Sequence, residues 1–195
     1  MSLILAMCLF SLSMSITPGP VNLTILSSSI NFGFKRTFSF VSGATFGFAL
    51  LLTAVGLGVS GLMAQVPSFY EVLRYCGSGY MIYIGYKIMT SRTVLEQSEA
   101  GMLRYKHGFL MQWLNPKAWI ACLTGVSAFN LQDSIPMLSL FVFLYFLICY
   151  GSLAAWAMLG ANLRFLKRVK NGIRFINVAM GTTLIAVSVY LLLPD

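Results

Sequence analysis

The chain has 195 residues, 58% of them hydrophobic and only 9% charged, with a formal net charge of +8 at pH 7 and a mean hydropathy of +0.82. Soluble domains carry about 25% charged residues, so this sequence lacks the charge to cover a water-facing surface. Its lysines and arginines are spread over short segments between apolar stretches, which argues against a nucleic-acid-binding face.

Six apolar stretches follow one another, at residues 3–30, 38–64, 72–89, 108–129, 135–159 and 173–193. Each is long enough to cross a hydrocarbon core of about 30 Å as a helix. The expected fold class is therefore an all-α membrane protein with six transmembrane helices. Cys8, Cys76, Cys122 and Cys149 all fall inside these stretches and read as small buried hydrophobes, not as a disulfide framework. No basic segment precedes the first stretch, so it is expected to stay as a membrane helix and not to be removed as a signal peptide.

The first stretch is interrupted by SITPGPVNLT at residues 15–24, where Pro18 and Pro20 flank Gly19 and Asn22 follows. Proline removes a helical hydrogen bond and clashes with the preceding turn. Lipid offers the freed carbonyls nothing, so a broken backbone survives only where protein or a watery cavity supplies partners. As one continuous helix the stretch would also be about 42 Å long, well beyond the hydrocarbon core. A break is expected at the prolines. The fourth stretch carries a second such signal, with Gln112 leading to Asn115, Pro116 and Lys117.

Pro116 lies 98 residues after Pro18, half the length of the chain. Helices 1 and 4 would then be Pro-broken equivalents in two three-helix halves, about residues 1–90 and 108–195. A connection at 90–107 joins them within one transmembrane transporter domain covering 1–195. Because three is odd, the halves must run in opposite directions, the inverted repeat of many secondary transporters. Eleven of the 13 cations cluster around the segments that follow the odd-numbered stretches, at Lys35 and Arg36, at Lys87, Arg92, Arg104 and Lys106, and at Arg164, Lys167, Arg168, Lys170 and Arg174. Cytoplasmic segments collect Lys and Arg, so both termini are expected on the periplasmic side.

Interrupted segments at matching positions point to a midplane binding site, and half-helix N-termini suit a carboxylate. The candidate substrate-binding and translocation residues are Thr17, Pro18, Gly19, Pro20 and Asn22 at one break, with Gln112, Asn115, Pro116 and Lys117 at the other. Lys117 lies near the middle of its stretch, where a charge is costly unless compensated, and no Asp or Glu lies well inside any stretch. Its partner is expected to be carbonyls freed by a break, or a bound anion such as a substrate carboxylate. The lone histidine, His107, stands at the mouth of the fourth stretch. His107, Lys117 and a substrate amine are the candidates to carry a proton. An uncharged, oxygen-rich pocket with one lysine suits a small neutral zwitterion better than lysine or arginine. No catalytic or metal-ligating constellation is evident, so neither enzyme activity nor a cofactor is expected. Gly43, Gly47, Gly77 and Gly79 read as close-packing positions; Trp113, Trp119, Tyr145, Tyr150 and Trp156 could line a pocket but read mainly as packing aromatics.

TPGPVN (17–22), GFKRTFSFVSGATFG (33–47), CGSGYMIYIGYKI (76–88) and QWLNPKAWI (112–120), taken together, resemble the lysine exporter (LysE/RhtB) family. Within that family the chain looks most like the cysteine/O-acetylserine efflux members. The resemblance implies a six-helix exporter of amino acids or close derivatives in the bacterial inner membrane, driven by the proton motive force. Its partners would be a small amino-acid substrate, protons and the bilayer, with monomer and homodimer both open. The family motifs fall on Pro18, Gly19, Pro20, Asn22, Asn115, Pro116 and Lys117. Homoserine/threonine and leucine exporters share the scaffold, and a lipid flippase is the alternative outside amino-acid transport.

Overall fold

Helix α1 (Leu3–Ile16) stops before Pro18, and α2 (Pro20–Phe32) begins on Pro20. The first helical position tolerates a ring with fixed φ and no N–H, so the second proline starts a helix as firmly as the first ends one. The two helices are bent by 58° at the break. Gly33, with φ +86, then turns the chain into α3 (Phe34–Gly56). This computed structural model describes residues 2–58, 69–90, 103–168, 172–190 and 192. The end of the second apolar stretch (59–64), most of the basic connection (91–102, with Arg92) and Lys170 lie outside the described residues.

Helix α4 (Phe69–Met89) is followed by α5 (Tyr105–Trp113) and α6 (Pro116–Ala128), separated at Leu114 and Asn115. A 3-10 turn (Leu131–Asp133) leads into α7 (Ile135–Asn162), a second (Leu163–Arg168) extends it, and α8 (Gly172–Tyr190) follows. No strand occurs among the described residues. Among the described residues two helices, α3 and the extended α7, are long and apolar enough to cross a membrane, and the bent α1–α2 pair makes a third if counted as one span. Helices α5 and α6, about 14 and 20 Å long, are each too short to cross alone.

The surface is apolar and the interior mixed, the reverse of a soluble bundle. Leu5, Leu9 and Leu12 of α1 and Phe143, Leu147 and Met158 of α7 point outward. Inside, Met7, Ile25, Phe40, Leu51, Met81, Ile84 and Phe141 are fully buried alongside Ser11, Thr24, Thr37 and Thr45. Each of those four hydroxyls donates to the carbonyl four residues earlier, which satisfies it within its own helix.

Glycines set two close crossings. A Cβ on Gly43 of α3 would collide with the carbonyl of Tyr105, and one on Gly108 with that of Phe40, so α3 and α5 meet backbone to backbone. In α4 and α8, a Cβ on Gly181 would stand 2.5 Å from the Gly85 oxygen and one on Gly85 2.9 Å from the Gly181 oxygen. The α4–α8 pair then seats on the other helices chiefly through α2. Gly77 packs against the Leu114 carbonyl as a close-packing residue should, but Gly79 has nothing within 4 Å of its would-be Cβ. Overpacking a tight core typically costs about 1–3 kcal/mol. Thermal unfolding in detergent should therefore show Gly43→Ala and Gly181→Ala destabilised by about that amount, and Gly79→Ala within about 0.5 kcal/mol of the unaltered protein.

Candidate functional site

The last turn of any helix leaves carbonyls without intrahelical partners, and at the α1–α2 break successive carbonyls each find one. Thr17 Oγ1 donates to the Met14 oxygen at 3.3 Å, Asn22 Nδ2 to that of Ser15 at 2.9 Å, and Trp156 Nε1 to that of Ile16 at 3.1 Å. Lys117 Nζ donates to the Thr17 carbonyl and to Thr17 Oγ1, both at 2.8 Å, and to the Pro18 carbonyl at 3.5 Å. The ammonium thus sits at the negative end of the α1 dipole, where a lysine is favourable. Of the two partners expected for Lys117, this conformation uses the carbonyls.

The second break is satisfied locally. Asn115 Oδ1 accepts from the Lys117 backbone N–H at 3.1 Å, and Trp119 Nε1 donates to the Trp113 carbonyl at 2.8 Å. The two asparagines therefore differ in role: Asn22 donates to a carbonyl at a helix end, whereas Asn115 caps a helix start. Gly19 has extended backbone, φ −165, which any residue adopts. What it supplies is room, since a Cβ there would lie 3.2 Å from both Cδ and Nζ of Lys117.

Lys117 and Asn115 stand between two spaces. On one side is a cavity of about 30 Å³, with Ser15, Asn22, Gln112 and Tyr145 in its lining. That is room for about one water and not for an amino acid. On the other is an open chamber of about 410 Å³, lined by Pro18, Gly19, Pro20 and Pro116 together with apolar Leu23, Ile120, Leu184 and Val187. In α2 the first backbone N–H to bond within the helix is that of Leu23, to Gly19 at 2.9 Å. Helix geometry leaves those of Val21 and Asn22, both lining the small cavity, without an intrahelical acceptor.

The structure thus gathers Thr17, Pro18, Gly19, Pro20, Asn22, Gln112, Asn115, Pro116 and Lys117 around one place. It does not bring His107 there: along α5 that residue is about 12 Å from Asn115. His107 Nδ1 instead accepts the Arg104 backbone N–H at 3.0 Å. Burial, with Lys87 and Lys106 nearby, lowers its pKa below the ordinary 6.5. Of the aromatics that could line a pocket, Tyr145 does so; the sequence reading missed Trp156 as the partner of a freed carbonyl. The available signal was chemical: an indole N–H in an apolar run needs an acceptor, and broken helices supply them. Among the described residues no three His, Cys, Asp or Glu side chains gather as a metal site would require.

The family model for LysE-type translocators matches residues 12–194. The cysteine/O-acetylserine efflux protein of Escherichia coli (strain K12) is 28% identical over 134 residues, 68% of each chain. The protein of the same name from Shigella flexneri is 29% identical over 126 residues, 64% of each chain. No solved structure matches significantly.

Lys117→Met should destabilise the protein by about 1–3 kcal/mol in thermal unfolding, because the Thr17 and Pro18 carbonyls lose their donor. Thr17→Val should cost less, since the Thr17 carbonyl keeps the ammonium. A second expectation concerns pH. Folded His107 binds its proton less readily than the unfolded chain does, so stability is full above the ordinary 6.5 and falls as pH drops through it toward the lowered value. The fall in melting temperature between pH 7.5 and pH 5 should accordingly be smaller in His107→Gln, a change that measurement of the two melting curves would reveal.

Proposed function

The chain belongs to the LysE-type translocator family, and from that premise we propose that it is a secondary active exporter of small neutral amino acids or their derivatives, with cysteine and O-acetylserine favoured. The proposal places it as a multi-pass protein of the bacterial inner membrane, with both termini periplasmic and the proton motive force driving efflux. Its α1–α2 and α5–α6 pairs act as the broken spans 1 and 4 of two inverted three-helix halves, and the halves rock around the site between them. The observation that carries this reading is Lys117, which ties one break to the other beside a polar cavity.

The chemistry follows from what surrounds that lysine. A zwitterion entering the site meets the α2 N-terminus and the Lys117 ammonium, both suited to its carboxylate. Its own ammonium meets the amide oxygens of Asn22 and Gln112. When Lys117 turns from the Thr17 and Pro18 carbonyls to the carboxylate, the α1–α2 break loses the contact that joins it to α6. Substrate then favours a conformation in which the halves have moved apart, which is how binding energy drives a transition. His107, Lys117 and the substrate amine remain the alternative candidates to carry the proton within this scheme. Nothing acidic lines either space to receive a second ammonium, so lysine and arginine are poor substrates. The apolar 410 Å³ chamber favours a second reading, in which a longer apolar side chain such as that of leucine is carried.

Reconstitution into liposomes tests both readings. A labelled panel of cysteine, O-acetylserine, threonine, homoserine, leucine and lysine would be followed with and without an imposed pH gradient. We expect saturable transport of a neutral member, stimulated by the gradient and abolished in Lys117→Ala. Best transport of lysine would overturn the electrostatic reading, and silence across the panel would leave a lipid-like cargo.

A further inference from the structure

Helix α2 carries a polar stripe that leads away from the break. Thr24, Ser27, Ser28 and Asn31 recur at the three- and four-residue spacing that puts side chains on one helix face, and all four are buried. About 16 Å along the helix from Pro20, the stripe ends in a cluster shared with α8. Asn177 Oδ1 accepts from Asn31 Nδ2 at 3.0 Å and from Ser27 Oγ at 3.2 Å. Beside this cluster is a separate cavity of about 30 Å³, lined by Thr24, Ser27, Ser28, Asn31 and, from α4, Lys87. It shares no lining residue with the spaces at the breaks.

Buried hydroxyls and amides cost stability unless they are satisfied, and an apolar interface would hold α2 to the α4–α8 pair at lower cost. A half-buried lysine lines the same cavity as the amide and hydroxyl groups of α2, a set that matches the two ends of a zwitterion: carboxylate on Lys87, ammonium on oxygens of Asn31 and Ser27. No carboxylate lines the cavity. Neutral amide hydrogen bonds across transmembrane helices are weak enough to part and re-form as the α4–α8 pair moves.

We propose that this cavity is a second amino-acid site, at the mouth on the side of the basic segments, which takes the substrate's carboxylate on Lys87 before it passes along the α2 stripe to the breaks. The inference rests on the exporter reading given above. As it stands the cavity has room for a water, and parting of Asn31 from Asn177 enlarges it to admit the substrate.

Oriented proteoliposomes give KM from each face separately, with labelled O-acetylserine and cysteine as probes. Lys87→Gln should raise KM at the basic-segment face at least about tenfold, the loss expected for one charge-assisted contact. The KM at the other face and kcat should stay within about twofold, because the site at the breaks is intact. Lys87→Arg should restore most of the loss, and Ser27→Ala should raise the same KM more modestly without touching the charge. Melting temperatures would confirm that the variants fold. Unchanged KM at both faces in Lys87→Gln and Ser27→Ala would overturn the mouth site while leaving the exporter intact. A uniform drop in kcat with KM unchanged would also overturn it, and would make Lys87 an anchor for lipid phosphates. Absence of amino-acid transport by the unaltered protein would remove both readings together.

Discussion

A peptide carbonyl set free inside a membrane has to be given a donor, and the α1–α2 break frees several within a few residues. The protein answers with side chains from four places: Thr17 in the break itself, Asn22 of α2, Trp156 of α7 and Lys117 of α6. The bend is therefore a junction, because side chains from two other helices, α6 and α7, reach it. Take away the prolines and none of these donors has a task; take away the donors and the bend exposes bare backbone to lipid. Lys117 is the strongest of the four because it is charged, and its position second in α6 puts it against the unfavourable positive end of its own helix. That penalty is offset only while the α1 C-terminus stays in reach, so the lysine is held in place by two opposing dipoles.

The two breaks look alike in sequence and differ in construction. Asn115 at the start of α6 and Trp119 within it satisfy the second break, so its hydrogen bonds stay within α5, the turn and α6. The first break depends on its neighbours, which supply Trp156 and Lys117 as donors. One self-sufficient break and one dependent break make the two sides of the site unlike, and the dependent one is where the Lys117 ammonium is bound.

Much of this was readable in the residues. Pro18, Pro20 and Pro116 announced the interruptions because proline chemistry is local, and Lys117 announced its need for carbonyls or an anion because a mid-membrane charge has few solutions. What remained hidden was set by pairing between distant helices. Trp156 gives no local sign that it serves the carbonyl of Ile16, 140 residues away. Gly85 and Gly181 were no more conspicuous than Gly79, yet they make a backbone crossing and Gly79 does not. The polar stripe on α2 gave no sign of its role in the sequence, because Asn177 and Lys87 come beside it only in the folded arrangement.

The α4–α8 crossing also imposes an order on biogenesis. Helix α4 leaves the ribosome about 100 residues before α8 is complete, which at roughly 5–20 residues per second is a delay of about 5–20 s. During that interval the Gly85 face and the polar side of α2 lie in the membrane without their final partner. Their side chains endure it because Thr24 and Asn31 already donate to the carbonyls of Pro20 and Ser27 on their own helix. Back-bonding that looks like a minor feature of the finished bundle thus serves as provisional accommodation for a helix whose partner is the last to arrive.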